Sequence, residues 1–306
     1  MSVEKQTWLV DRWPPTNLCI RSLYEVYSKT LGEAINIKVL KLQKRHIVER
    51  LIWRLLGYDA AENCWIFHPL WYRYARSKGK RVIAFIDDPT SQLDENALRL
   101  ERTIIPRCDV VVTTTRQLAD YLQNNVGIPP EKIKVIPAPV DTEHFRPLKT
   151  SSDRKGEEIR VGFPTMKLNM ERLSGVLHFL ESLDAKFKLL LAYPPPPAII
   201  PIYANNVDIV YVGYYSYEDL PRFYSLCDLV VNYLPEKIAG RQSVKELQAM
   251  ACGVPVISPS LHRDYVEMLV KDAEFRKAEG PRLRAKIVEK NSYQSVASEL
   301  LRLGLV

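Results

Sequence analysis

Short apolar runs recur along the first half of the chain, at Trp8 to Val10, Ile35 to Leu40, Cys64 to Phe67, Arg81 to Ile86, Asp109 to Thr113 and Lys134 to Ile136. Stretches of helical periodicity separate them. Runs of this length with little alternation suit parallel strands covered on both faces, and the strand–helix rhythm predicts an α/β architecture. The polar stretch Lys149 to Glu158 interrupts the rhythm. A second series follows at Arg160 to Phe163, Phe187 to Ala192, Ile209 to Val212, Leu229 to Asn232 and Val254 to Ser258. The pattern predicts two Rossmann-like domains, residues 1–149 and 150–306, with the last helix free to pack back on the first domain. A weak internal repeat supports this, since Cys108-Asp109-Val110-Val111 and Cys227-Asp228-Leu229-Val230 occupy similar places in the two halves.

Between the predicted strand ending at Asn232 and the next one lies the chain's most informative segment. A polar loop, Tyr233 to Gln242, leads into a helix that Ser243 suits as N-cap, and Gly253 with Pro255 stops it. Free N–H groups and the dipole at such a helix start favour an anion, and Arg241 and Lys245 add positive charge. On a helical wheel Val244, Leu247, Met250 and Ala251 share one face, and Lys245, Gln248 and Cys252 another. The first face is expected to pack and the second to meet a ligand. Taken alone, these residues fit an ordinary amphipathic helix with a solvated lysine better than a ligand site.

Composition narrows the setting. With 46% apolar and 26% charged residues the chain is an ordinary globular one. Its five cysteines are scattered without any C-x-x-C pair, which points away from a disulfide framework or a zinc site and toward a reducing compartment. No stretch is long enough to span a membrane and no secretory signal opens the chain, so a cytoplasmic protein is expected. No G-x-G-x-x-G follows a predicted strand, which argues against dinucleotide-dependent redox chemistry. About +6 of the formal net charge of +7 falls in residues 1–149, which fits an anionic acceptor or membrane surface. The basic helical stretch Lys44 to Leu56 suits peripheral contact at the inner face of a membrane or packing on the sheet. Without a recognised binding module, nucleic acid is not an expected partner.

Several motifs together resemble retaining family 4 glycosyltransferases of the GT-B fold, closest to members that build surface polysaccharides. They are Ile86-Asp87-Asp88-Pro89, Leu100-Glu101-Arg102, Cys108 to Thr115, Val135 to Pro147, and Lys245 to Ile257. The resemblance implies two Rossmann-like domains facing each other across a cleft, with a nucleoside-diphosphate sugar as donor and neither cofactor nor metal. It places Lys245, with Lys167 after Gly162, on the donor diphosphate. Gln248 stands where the family has a ribose-binding glutamate; an amide offers one accepting oxygen instead of two. The earlier acidic residue of the family's glutamate pair aligns with Gly240, leaving Glu236 nearby. Tyr214, after a strand and a glycine, falls where the nucleobase lies.

For the chemistry, the strand-end histidine of many relatives is replaced by Asp87 and Asp88, which would hold a sugar or acceptor hydroxyl. Asp88 equally fits a cap on the turn at Pro89. His68 follows another strand and completes the candidate catalytic set. The segment Asp11 to Asn17 lacks the glycines the family uses to admit an acceptor. The expected function is transfer of a sugar, with retention, to a glycan, polysaccharide or lipid acceptor. The alternatives are a sugar-nucleotide-binding subunit without turnover, motivated by Gln248, and an epimerase or phosphorylase on the same fold.

Overall fold

The computed structural model describes residues 6–10, 18–31, 35–39, 63–78, 81–87, 94–148, 158–165, 170–193, 206–233 and 243–305. Asp88, Lys167, Glu236 and Arg241 lie outside these residues, as do the 11–17 segment, the 44–56 stretch and the prolines at 194–197. The chain forms two compact units, one built on residues 1–139 and 293–306, the other on residues 140–235 and 243–292. Among the described residues no helix is long and apolar enough to cross a membrane.

In the first unit, strands β1 (Gln6–Val10), β2 (Ile35–Val39), β3 (Asn63–Ile66), β4 (Arg81–Phe85), β5 (Val110–Thr113) and β6 (Ile133–Val135) form one parallel sheet in the order β2-β1-β3-β4-β5-β6. Helices α1 (Leu18–Glu25), α2 (Tyr72–Lys78), α3 (Glu95–Ile104) and α4 (Arg116–Tyr121) alternate with them. Local sequence sets their ends: Asp94 caps α3 by accepting from Asn96 N at 2.9 Å, and Thr115 caps α4 by accepting from Leu118 N at 3.1 Å. Strands β4 and β5 are largely apolar because both faces are covered; Val82 to Phe85 and Val110 to Thr113 are all buried. Near β1 the core is aromatic. Trp8, Tyr27 and Trp65 are fully buried, with ring centroids 5.4 to 5.9 Å apart. Each such side chain adds about 1.5–3 kcal/mol of hydrophobic stabilisation.

The second unit repeats the plan. Strands β7 (Ile159–Phe163), β8 (Phe187–Leu191), β9 (Val207–Tyr211), β10 (Leu229–Val231) and β11 (Val256–Ile257) form a parallel sheet in the order β11-β10-β7-β8-β9. Its helices are α5 (Met170–Glu181), α6 (Leu220–Ser225), α7 (Val244–Ala251), α8 (Arg263–Lys271) and α9 (Ala273–Asn291). Here the core is mainly aliphatic: Leu173, Val176 and Leu180 of α5 pack with Val161, Leu189, Leu191 and Leu229 of the sheet.

The passage between units falls after Pro139, ahead of the polar stretch at 149–158 where the sequence pattern had put it. Residues 140–148 are held by packing that local polarity does not reveal. Val140 N donates to Asn291 O at 2.8 Å, and the Phe145 ring is fully buried beside Tyr217 and Tyr224. Helix α10 (Tyr293–Arg302) belongs to the first unit. It is tied there by Tyr293 Oη to Glu25 at 2.8 Å, while Tyr27 Oη donates to Leu305 O and Arg81 to Gly304 O, each at 2.7 Å.

Candidate functional site

In the second sheet β7 lies between β8 and β10, so the chain leaves β7 toward one edge and later returns to build the other. Ligands of open α/β sheets bind at this reversal, outside the carboxyl ends of the two central strands. The residues there are Phe163 at the end of β7 with Pro164 and Thr165 after it, Asn232 and Tyr233 after β10, and the first turn of α7. The Tyr233 ring lies so close to α5 that a Cβ on Gly175 would come within 2.3 Å of it, which fixes this strand end.

The start of α7 is tightly organised. Ser243 is extended (φ −74°, ψ 125°) and its N–H donates to a Glu246 carboxylate oxygen at 3.3 Å, as the S-x-x-E spacing allows. The other Glu246 oxygen accepts from the Asn232 amide nitrogen, joining β10 to the helix. Burial pushes the Glu246 carboxyl above its ordinary range, and these two hydrogen bonds oppose that push. At the far end Gly253 takes a left-handed φ of +75°, Val254 N donates to Ala249 O at 3.0 Å, and Arg284 donates to Ala251 O.

Lys245 sits in the first turn and is partly exposed; its carbonyl accepts from Tyr224 Oη at 3.3 Å. Ser243 stands beside it. Gln248 does not share an open face with Lys245. It is 1% exposed, and its Oε1 lies 3.4 Å from the wholly buried Tyr224 hydroxyl. Cys252 is buried as well, its thiol pushed up to about 12 by burial. The wheel mispredicted this face because α7 is packed nearly all round, so only Ser243, Lys245, Glu246 and Met250 retain partial exposure. Gly162 lies inside β7, where a Cβ would meet Cys227 Sγ at 2.5 Å and the Phe223 ring at 3.1 Å. Packing requires this glycine.

Tyr214 is 69% exposed, placed by Gly213 at φ +113°, and its ring meets Tyr193 edge-on at 5.2 Å. Tyr193, just past β8, donates its hydroxyl to Tyr215 O at 3.0 Å. Two aromatic side chains therefore flank the carboxyl ends of β8 and β9. In the first unit the strand order reverses between β1 and β3. His68 follows β3 and Asp87 follows β4, its hydrogen-bonded neighbour, and both are partly exposed. The structure thus brings His68 and Asp87 to adjacent strand ends in one unit, and Ser243, Lys245 and Glu246 to one helical turn in the other. Helical periodicity points to neither Glu246 nor Asn232, although the S-x-x-E spacing is legible in the sequence.

Two doubly wound parallel units in one chain define the GT-B class of fold. Residues 38–144 match the family model described as Glycosyltransferase Family 4. Among solved structures, Anabaena Alr3699/HepE in complex with UDP and glucose is similar over 99% of this chain and 100% of its own, at TM-score 0.73 and 14% identity. The same protein in complex with UDP-glucose gives TM-score 0.72 at 15% identity, over 99% and 100% of the two chains. A glycosyltransferase from Rickettsia africae ESF-5 is similar over 98% and 97% of the two chains, at TM-score 0.69 and 14% identity. At these identities the likeness shows the fold. No curated protein sequence matches the chain.

Proposed function

We propose that this protein is a glycosyltransferase that moves a sugar from a nucleoside-diphosphate sugar to a glycan, polysaccharide or lipid acceptor, with retention and without a metal. The observation that carries the reading is the first turn of α7, with Lys245, at the strand-order reversal of the second sheet. N–H groups at a helix start, its dipole and a lysine suit the negative charge that grows on a departing diphosphate. The exposed Tyr214 face, braced by Tyr193, suits a nucleobase. The fold's likeness to a protein solved with UDP-glucose supports the same donor class. Asp87 and His68, at neighbouring strand ends, are assigned to a sugar or acceptor hydroxyl, one by accepting a hydrogen bond and the other through a ring nitrogen. Lys167, Arg241, Glu236 and Asp88 are assigned roles at the donor and acceptor sites on sequence grounds.

The test is Lys245→Ala. Loss of one charge-assisted contact to a diphosphate should weaken nucleoside diphosphate binding about ten- to a hundredfold, or about 1.5–3 kcal/mol, in calorimetry. Unchanged affinity would remove Lys245 from the site.

A further inference from the structure

The pair formed by Asn232 and Glu246 ties the end of β10 to the first turn of α7. Glu246 is a half-buried acid held by two donors, Ser243 N at 3.3 Å and the Asn232 amide nitrogen. An ionised carboxylate can only accept, so the Asn232 nitrogen must be the atom turned toward it. The amide oxygen is thereby turned away. Among the described residues that oxygen has no hydrogen-bond partner, and Asn232 is partly exposed at the carboxyl end of β10. Its backbone is also pinned, because Asn232 N donates to Ile257 O at 2.9 Å and the next residue, Tyr233, is wedged against Gly175. The result is one preoriented hydrogen-bond acceptor at the strand-order reversal.

Such an acceptor suits a hydroxyl and repels a phosphate oxygen. We propose that the Asn232 Oδ1 atom accepts a hydroxyl of the sugar carried by the nucleotide, and that Glu246 is the positioning residue that fixes the amide for it. This rests on the nucleotide-sugar reading above and adds a residue that tells a sugar conjugate from the free diphosphate. Glu246→Gln removes the requirement that nitrogen face the helix, since a glutamine amide can donate as well as accept. Asn232→Ala removes the acceptor itself.

The experiment is calorimetry on the full chain with UDP, GDP and ADP, and with UDP-glucose, GDP-mannose and ADP-glucose. The variants are Asn232→Ala, Glu246→Gln and the double variant, with Asn232→Leu as a bulkier replacement should the alanine variant fail to fold. The expected result is an affinity for the sugar conjugate about tenfold lower in Asn232→Ala and several-fold lower in Glu246→Gln, with free diphosphate affinity within about twofold of wild type. The double variant should match Asn232→Ala, because Glu246 acts through Asn232. Equal losses for diphosphate and conjugate, or no loss for either, would overturn the assignment and leave Glu246 as a helix cap alone. If wild type binds none of the six, the nucleotide-sugar reading fails and takes this assignment with it. Binding by wild type with no discrimination in the variants rejects only the assignment.

Discussion

Both units begin a central strand with a Cys-Asp pair, Cys108-Asp109 before β5 and Cys227-Asp228 before β10, but the strand each pair leans on is built differently. Asp109 Oδ2 accepts from Val82 N at 2.8 Å, and Asp109 N donates back to Val82 O at 3.0 Å. Asp228 Oδ2 accepts from Arg160 N at 2.9 Å, and Asp228 N donates back to Arg160 O, also at 2.9 Å. The registers then coincide, so that Val111 pairs with Ala84 where Val230 pairs with Gly162. An aspartate thus fixes the parallel register at the same place in both sheets. The partner residue differs because Cys227 Sγ and the Phe223 ring fill the space that a methyl group at 162 would need. A glycine near the end of a first strand invites a reading in terms of ligand approach, and here the crowding behind it decides instead.

The largest test of this contrast is Gly162→Ala. A Cβ placed 2.5 Å from Cys227 Sγ forces the sheet and α6 apart, and overpacking of this kind costs about 1–3 kcal/mol. The second unit should melt several degrees lower by calorimetry. Adding Cys227→Ala removes the sulfur and should recover part of the loss, the remainder reflecting the Phe223 contact at 3.1 Å. If Gly162→Ala melts like wild type, the crowding is wrong and the glycine needs another explanation.

The same contrast shows what the sequence made legible. Strands and their order of appearance were readable because parallel strands covered on both faces are continuous apolar runs, and the predicted runs overlie β1 to β11 to within a few residues. The helix start at Ser243 and its end at Gly253 were readable from local capping chemistry. Burial of Gln248 was not. A wheel sorts residues by angle, whereas α7 is enclosed by Tyr224 of α6 on one side and by α9 on another, where a Cβ on Gly280 would strike Gly253 O. Nor could the 139/140 passage be read, since Val140 and Phe145 are fixed by partners at 291, 217 and 224. What escaped was in each case set by contacts distant along the chain.

A smaller effect tests the shared half of the contrast. Asp228→Ala and Asp109→Ala each leave an N–H at the start of the neighbouring strand without its acceptor, a loss of about 1–2 kcal/mol for a partly buried donor. Urea unfolding should show both midpoints lowered with little change in slope. Asparagine at either position keeps an accepting oxygen and should recover most of the loss. A neutral result at one aspartate and a large one at the other would break the equivalence of the two strand starts.

The smallest effect separates the two aspartates. Asp109 Oδ2 also accepts from Arg76 Nη1 at 2.8 Å, and those side chains are 47% and 35% exposed for Arg76 and Asp109. An ion pair so open to water contributes about 0.2–1 kcal/mol and is screened by salt. Removing Arg76 leaves the bond from Val82 N in place, so Arg76→Ala should cost no more than that amount. The cost should vanish at about 1 M salt, where the screening length is about 3 Å. Arg76→Ala should also have no effect once Asp109 is already alanine, because both partners of the pair would then be gone. A loss that persists in high salt, or that adds fully to Asp109→Ala, would mean that Arg76 stabilises α2 by packing its stem rather than by its charge.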